Sequence, residues 1–294
     1  MIKNTIDRKI FIVIAYTTII FTSMICLIPF MLVISGSISN QASIYQYGYS
    51  IIPKSISLEA YKIAFLSPDE IIRSYANTIG VTVVGTSIGL LITAMTGYVL
   101  SRKDFEWRNK ISFFFYFTMI FNVGLVPWYI ICVNFLKLND TYFALLIPFV
   151  LNVFYILVMK SFMSSIPQAI HESARVDGAN DIHIFIRIIL PMSKPALASI
   201  GLFIALGYWN DWYTSFMFIS NKDLFSLQFY LYKVVSGAEA FQQLSSVVGV
   251  DPASIPTEPL KLAMTVIVIG PIVLLYPHIQ KYFVKGLTIG AVKG

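Results

Sequence analysis

Hydrophobic residues in this chain come in six long runs, at Ile10–Ile34, Asn77–Leu100, Ser112–Phe135, Tyr142–Met159, Ala196–Ile219 and Leu262–Phe283, and the stretches between them hold nearly all of the charge. Each run is long enough to cross a hydrocarbon core as a helix. None carries the polar face that a water-exposed helix needs, so a large soluble helical bundle does not fit. The expected fold is all-α and integral to the membrane: six transmembrane helices in one polytopic domain, 1–294. Outer loops fall at 35–76 and 220–261, an inner loop at 161–194 and a tail at 284–294. Composition agrees, with 57% hydrophobic and 12% charged residues and a mean hydropathy of +0.74. The first run follows Lys3, Arg8 and Lys9. It is too long for a secretory leader and lacks a small-x-small cleavage site, so it reads as a retained signal anchor.

Orientation follows from lysine and arginine. With the N-terminus inside, the inner segments hold 14 of the 21, including Arg102, Lys103, Arg108 and Lys110 in the short loop 101–111. Short loops obey the positive-inside rule best, so both termini and the 161–194 loop are expected in the cytoplasm. The net charge of +6 is accounted for by this bias, and a nucleic-acid partner is not expected. Cys26 and Cys132 lie inside runs without a CxxC, and His171, His183 and His278 are scattered with no HExxH. A disulfide or a metal site is not expected.

Inside the runs, Gly85, Gly89, Thr93 and Gly97 recur every four residues, a face on which another helix approaches closely. Pro29, Pro127, Pro148, Pro271 and Pro277 are expected to kink their spans. Ion-coupled carriers keep ionisable groups near the bilayer middle. Here the candidate is Asp211, within Tyr208-Trp209-Asn210-Asp211-Trp212-Tyr213, where the aromatics favour the interface. No GxxxxGK[ST] phosphate loop is present, so ATP chemistry must come from a partner. The outer loops either cap the bundle mouth or touch an external partner.

The charged stretch at 161–194 reads as a helix-turn-helix. Ser165 is placed to cap a helix opening at Ile166-Pro167. That helix closes at Gly178 in the left-handed conformation. Gln168, Glu172 and Arg175 form a polar stripe, and Ile166, Ile170 and Ala174 an apolar one. Asn180 or Asp181 caps a second helix carrying Ile182, Phe185, Ile186 and Ile189, which Pro191 is expected to stop.

Glu172-Ser173-Ala174, then Gly178, then Ile188-Ile189-Leu190-Pro191 ten residues on, resembles the cytoplasmic EAA loop of permease subunits in ATP-binding-cassette (ABC) importers. Ser173 stands where alanine is usual. Asp177-Gly178-Ala179, Leu190-Pro191 with Pro195, Trp209-Asn210-Asp211 and the ending Val284–Gly294 further resemble the carbohydrate branch, in particular maltose-type and polysaccharide-type second permeases. The resemblance covers nearly the whole chain. It implies a type I ABC importer permease fold in the bacterial inner membrane, with cytoplasmic EAA coupling helices. The implied partners are a homologous permease forming a heterodimer, two ABC ATPase subunits, an extracytoplasmic solute-binding protein and membrane lipid. No catalytic residue, cofactor or metal is implied on this chain, ATP and magnesium being held by the ATPases. Glu172, Ala174, Asp177, Gly178, Leu190 and Pro191 would couple to an ATPase, and Gly290, Ala291, Lys293 and Gly294 would enter the ATPase interface. Trp209, Asn210 and Asp211 would either line a solute path or anchor their span at the interface. The competing classes are a carrier driven by an ion gradient and a polytopic membrane enzyme, for which no catalytic constellation is found.

Overall fold

The computed structural model describes residues 6–121, 123–248 and 256–273. The chain divides into two compact units, Met1–Pro68 with Leu231–Pro271, and Asp69–Tyr230 with Ile272–Gly294.

In the first unit, helix α1, Ile6–Ser37, is apolar on all sides, and its most hydrophobic window has no buried residue. A helix apolar all round and uncovered by protein needs lipid as its solvent. Its last turn enters a polar knot: Ser35 donates to the Ser50 carbonyl at 2.6 Å and Ser37 meets the Tyr61 hydroxyl at 2.9 Å. Helix α2, Gln41–Tyr47, is capped by Asn40 and ends at Gly48, whose φ is +73°. Helix α3 is Glu59–Ala64. The amide of Gln41 ties α2 to the start of a helix at 257–273, donating to Thr257 at 3.1 Å and accepting from the Glu258 N–H at 3.1 Å. Tyr49 donates to Glu258 at 2.8 Å. Burial and the Glu258 carboxylate push the Tyr49 phenol up to about 12.

The second unit is built on helix α4, Pro68–Ser101. Proline at its first position loses no hydrogen bond. Helices α5, Arg108–Ile120, and α6, Leu125–Ile130, follow; α6 runs on through a wide five-residue turn at Ile131–Phe135. Next come α7, Tyr142–Val150, and α8, Val153–Ser164, bent by 45° just beyond Pro148. The small-residue face of α4 is buried where the spacing placed it. A Cβ at Gly85 would enter the Tyr208 ring, and one at Gly97 would sit 2.7 Å from Met159 Cγ. Tyr208 in turn donates to the Leu146 carbonyl at 2.8 Å.

Two apolar runs differ from the expectation. Ala196–Ile219 divides into α12, Lys194–Trp209, and α13, Tyr213–Phe218, because Asp211 turns its carboxylate to the Thr214 N–H at 3.0 Å and starts a new helix. The aromatic start of the outer segment 220–261 forms a helix, α14, Leu227–Val248, there being no proline before Pro252 to interrupt it.

Among the described residues, α1 and α4 are each long and apolar enough to cross a membrane, and the total reaches five if three bent helix pairs each count as one span. The sixth run, 262–283, extends past the described residues, as does the tail at 284–294.

Candidate functional site

The 161–194 segment folds as a helix-turn-helix within the second unit. Helix α9, Gln168–Val176, begins at Pro167 without a side-chain cap. Ser165 ends α8 instead and donates to the Phe162 carbonyl at 2.7 Å. Ser-Ile-Pro favours this outcome because the residue before a proline is pushed out of the helical region, so the chain leaves one helix before starting the next. At the other end, Gly178 N–H donates to the Arg175 carbonyl and Ala179 N–H to the Ala174 carbonyl, both at 3.0 Å. This paired closure requires a left-handed residue, and Gly178 has φ +82°.

Asn180 then accepts the His183 N–H at 2.8 Å and caps helix α10, Asp181–Ile184. The chain does not stop at Pro191. It passes through a wide turn at Phe185–Ile189 into a single turn, α11, Leu190–Met192, and bends by 81° into α12 around the buried Ser193. Proline has no N–H for the Arg187 carbonyl, and the wider ladder, with Leu190 N–H on the Phe185 carbonyl, absorbs that loss without ending the helix.

The two helices present unlike faces. Ala174, Ile184, Phe185 and Ile189 are buried against the unit. On the outside, Gln168 donates to Glu172 at 2.8 Å, and Val176, Ile182 and Ile186 stand 88%, 70% and 54% exposed. Glu172, Asp177, Gly178 and Pro191 are exposed, and Leu190 is half-buried. A cleft of about 140 Å³ opens between the end of α4 and α9, lined by Arg102, Lys103, Asp104, Gln168, His171 and Glu172 among others.

Four charges close that end. Arg102 clasps Asp104 with two bonds, at 3.0 and 2.5 Å, and reaches Asp181 at 2.7 Å. Arg175 meets the same two carboxylates at 3.0 and 3.2 Å. Hydrogen bonds from Arg102 hold both Asp104 and Asp181 below the ordinary carboxylate range. Beneath them the Tyr98 ring stacks on His171, centroids 5.8 Å apart, and packs on Phe185 at 5.1 Å. Burial holds the His171 imidazole below its usual value. Sequence reasoning named Arg175 and Asp181 only for the loop itself. The bonds to Arg102 and Asp104 join residues up to 71 positions apart, and no local spacing announces them.

The third residue group lies elsewhere in the unit. Trp209 is buried, and its indole N–H has no hydrogen-bond partner among the described residues. Asn210 is exposed and takes the Gln228 amide at 3.3 Å. Asp211 lines a narrow crevice with Asn77, Thr78 and Tyr208. Gly290, Ala291, Lys293 and Gly294 lie outside the described residues.

A family model described as binding-protein-dependent transport system inner membrane component matches residues 85–289, a span that takes in the helix-turn-helix and its charged surround. The chain belongs to that family. It is an inner membrane permease component of a binding-protein-dependent transport system. Among its relatives, the polygalacturonan/rhamnogalacturonan transport system permease protein YtcP of Bacillus subtilis (strain 168) is 35% identical, over 98% of this chain and 99% of the relative. Protein LplC of the same organism is 37% identical over 92% and 90%. A crystal structure of a bacterial ABC transporter involved in the import of the acidic polysaccharide alginate contains a chain at TM-score 0.79 and 30% identity, matching 96% of this permease and 100% of that chain. The permease thus has the type I importer fold.

Proposed function

We propose that this permease is one half of the translocation pathway of an ATP-driven importer for oligosaccharides or polysaccharides. Its partners are a homologous permease, two ABC ATPase subunits and an extracytoplasmic solute-binding protein. Six spans with both termini in the cytoplasm place the helix-turn-helix on the ATPase side. ATP and magnesium are held by the ATPases, and this chain hydrolyses nothing. The observation that carries the reading is the helix-turn-helix: a rigidly closed hairpin with one face packed on the unit and a polar and apolar face left outside. Such a face suits a cleft on a second protein.

In this reading α9 is the coupling helix. Glu172 contributes a polar contact to an ATPase, Ala174 lets the helix lie close to the unit, and Asp177-Gly178 make the turn. Leu190 and Pro191 carry displacement toward α12, so that closure of the ATPase pair on ATP moves the permease between two accessible states. The tail residues Gly290, Ala291, Lys293 and Gly294 enter the ATPase interface. Trp209, Asn210 and Asp211 sit beside the solute path, where Asp211 serves its helix start. The saccharide class is supported by the relatives' names and by the alginate importer likeness.

The test is uptake of an oligogalacturonide mixture into vesicles holding the intact complex, with binding protein outside and ATP inside. Expected is ATP-dependent uptake indifferent to a protonophore. Uptake that collapses with protonophore at fixed ATP would instead mark an ion-driven carrier.

A further inference from the structure

We propose that Arg102, Asp104, Arg175 and Asp181 are positioning residues that fasten the coupling helix pair to the end of α4, so that the two travel as one piece. The proposal deepens the importer reading and rests on it. Three routes join the helix pair to the membrane helices. Two are covalent and bent: the link at Ser165–Pro167 back to α8, and the wide turn and 81° bend forward into α12. Bends of this kind absorb a push rather than deliver it. The third route is the four-charge ring, which takes two members from the segment just after α4 and two from the helix pair.

The ring alternates in sign along each of its four contacts, so each carboxylate bridges both arginines and each arginine both carboxylates. Single exposed ion pairs contribute little to stability. A closed network with a two-bond arm instead fixes orientation, because no member moves without breaking two contacts. Arg102 is the anchor: its side chain is 15% exposed, against 48–54% for the other three, and it lies over the Tyr98 ring at 5.9 Å. Tyr98 belongs to α4 and touches both helices of the pair, through His171 and Phe185. Below Tyr98, Gly97 meets Met159 and Gly85 meets Tyr208, so α4 is itself seated against α8 and α12. A displacement of α9 therefore reaches the packed centre of the unit through α4 as well as through its own chain.

The test uses the full transporter complex in vesicles, read as ATP hydrolysis stimulated by the binding protein. Asp104→Arg should lower stimulated hydrolysis by about tenfold while the chain still co-purifies with its ATPases. Adding Arg175→Asp restores opposite charge across the joint, and should recover most of the loss. In a second arm, Asp104→Cys with Arg175→Cys on a Cys26→Ser, Cys132→Ser background is joined by a short bis-thiosulfonate linker. If the pieces travel together, the linked complex keeps its stimulated rate. A rate abolished by the linker and returned by reductant would mean that the joint has to open, and would overturn the proposal. So would an Asp104→Arg variant with the wild-type rate, or an assembled charge swap that recovers nothing. A wild-type complex showing no stimulated hydrolysis brings down the importer reading and this joint with it, whereas a stimulated wild type with indifferent variants brings down the joint alone.

Discussion

At Gly178, a side chain would meet no atom within 4 Å, yet the backbone stands at φ +82°. Space is therefore not what the position withholds, and substitution costs only the left-handed backbone, about 1–2 kcal/mol for alanine and more for a β-branched residue. Gly178→Val should loosen the loop more than Gly178→Ala, read as faster hydrogen exchange at Gly178 and Ala179; equal exchange in the two variants would reject the argument. His171 makes a second residue-scale prediction. Burial, and after it the Arg102 charge, hold the imidazole below its ordinary value, Arg175 acting the same way and Asp104 and Asp181 opposing. A lowered histidine contributes stability that is full above its unfolded pKa of about 6.5 and is lost as the pH falls below it. The two lowered carboxylates lose theirs only below about 3.8, so between these values the histidine alone titrates within this cluster. Loop protection should fall between about pH 7.5 and 5.5 in the wild type, and His171→Phe should flatten that fall. Gly178 was legible in the sequence because a helix closure leaves a local signature. The ring was not, since Arg102 and Asp104 are separated from Arg175 and Asp181 by four helices.

Among elements, the second helix of the hairpin was read more accurately than the first. Asn180 caps it as its residue type and position foretold, and Asn180→Ala should cost about 1 kcal/mol, seen as lost protection of the His183 amide with the rest of the unit unchanged. Ser165 misled because serine caps helix starts and also closes helix ends through its own backbone, and only the neighbouring Pro167 tips the choice. Pro191 misled for a different reason: a wide turn lets a helix pass a proline, and sequence periodicity does not reveal that extra residue. The glycine face of α4 was plain from its spacing, but its partners were not, because Met159 and Tyr208 come from two other helices. Gly97→Val would press on Met159 Cγ and on the Lys160 N, 3.1 Å from the new Cβ. Overpacking of this kind costs about 1–3 kcal/mol, and should appear as a lower unfolding temperature of the detergent-solubilised protein; an unchanged temperature would show that α8 gives way freely.

For the whole molecule, hydropathy announced a membrane protein and loop charge proposed its orientation, while bends inside runs and a broken fifth run were hidden by uniform apolarity. Thiol labelling should find a cysteine replacing Lys103 reachable from the cytoplasm and one replacing Lys222 from outside; the reverse pattern would invert the proposed topology. Removal of Gly290–Gly294 should lower stimulated ATP hydrolysis and uptake by the complex while leaving the chain inserted, and a truncated complex working at the intact rate would reduce those residues to a plain end. The wide turn at Phe185–Ile189 bears on how such a chain can evolve. It holds one residue more than an ordinary turn would, and deleting any one of the five would rewind it and swing α12 by about 100° about its axis. Tyr208 would then leave the Gly85 groove and turn toward lipid. Between hairpin and membrane this permease can therefore trade one side chain for another far more readily than it can gain or lose a residue: the number of links there carries information as surely as their identity.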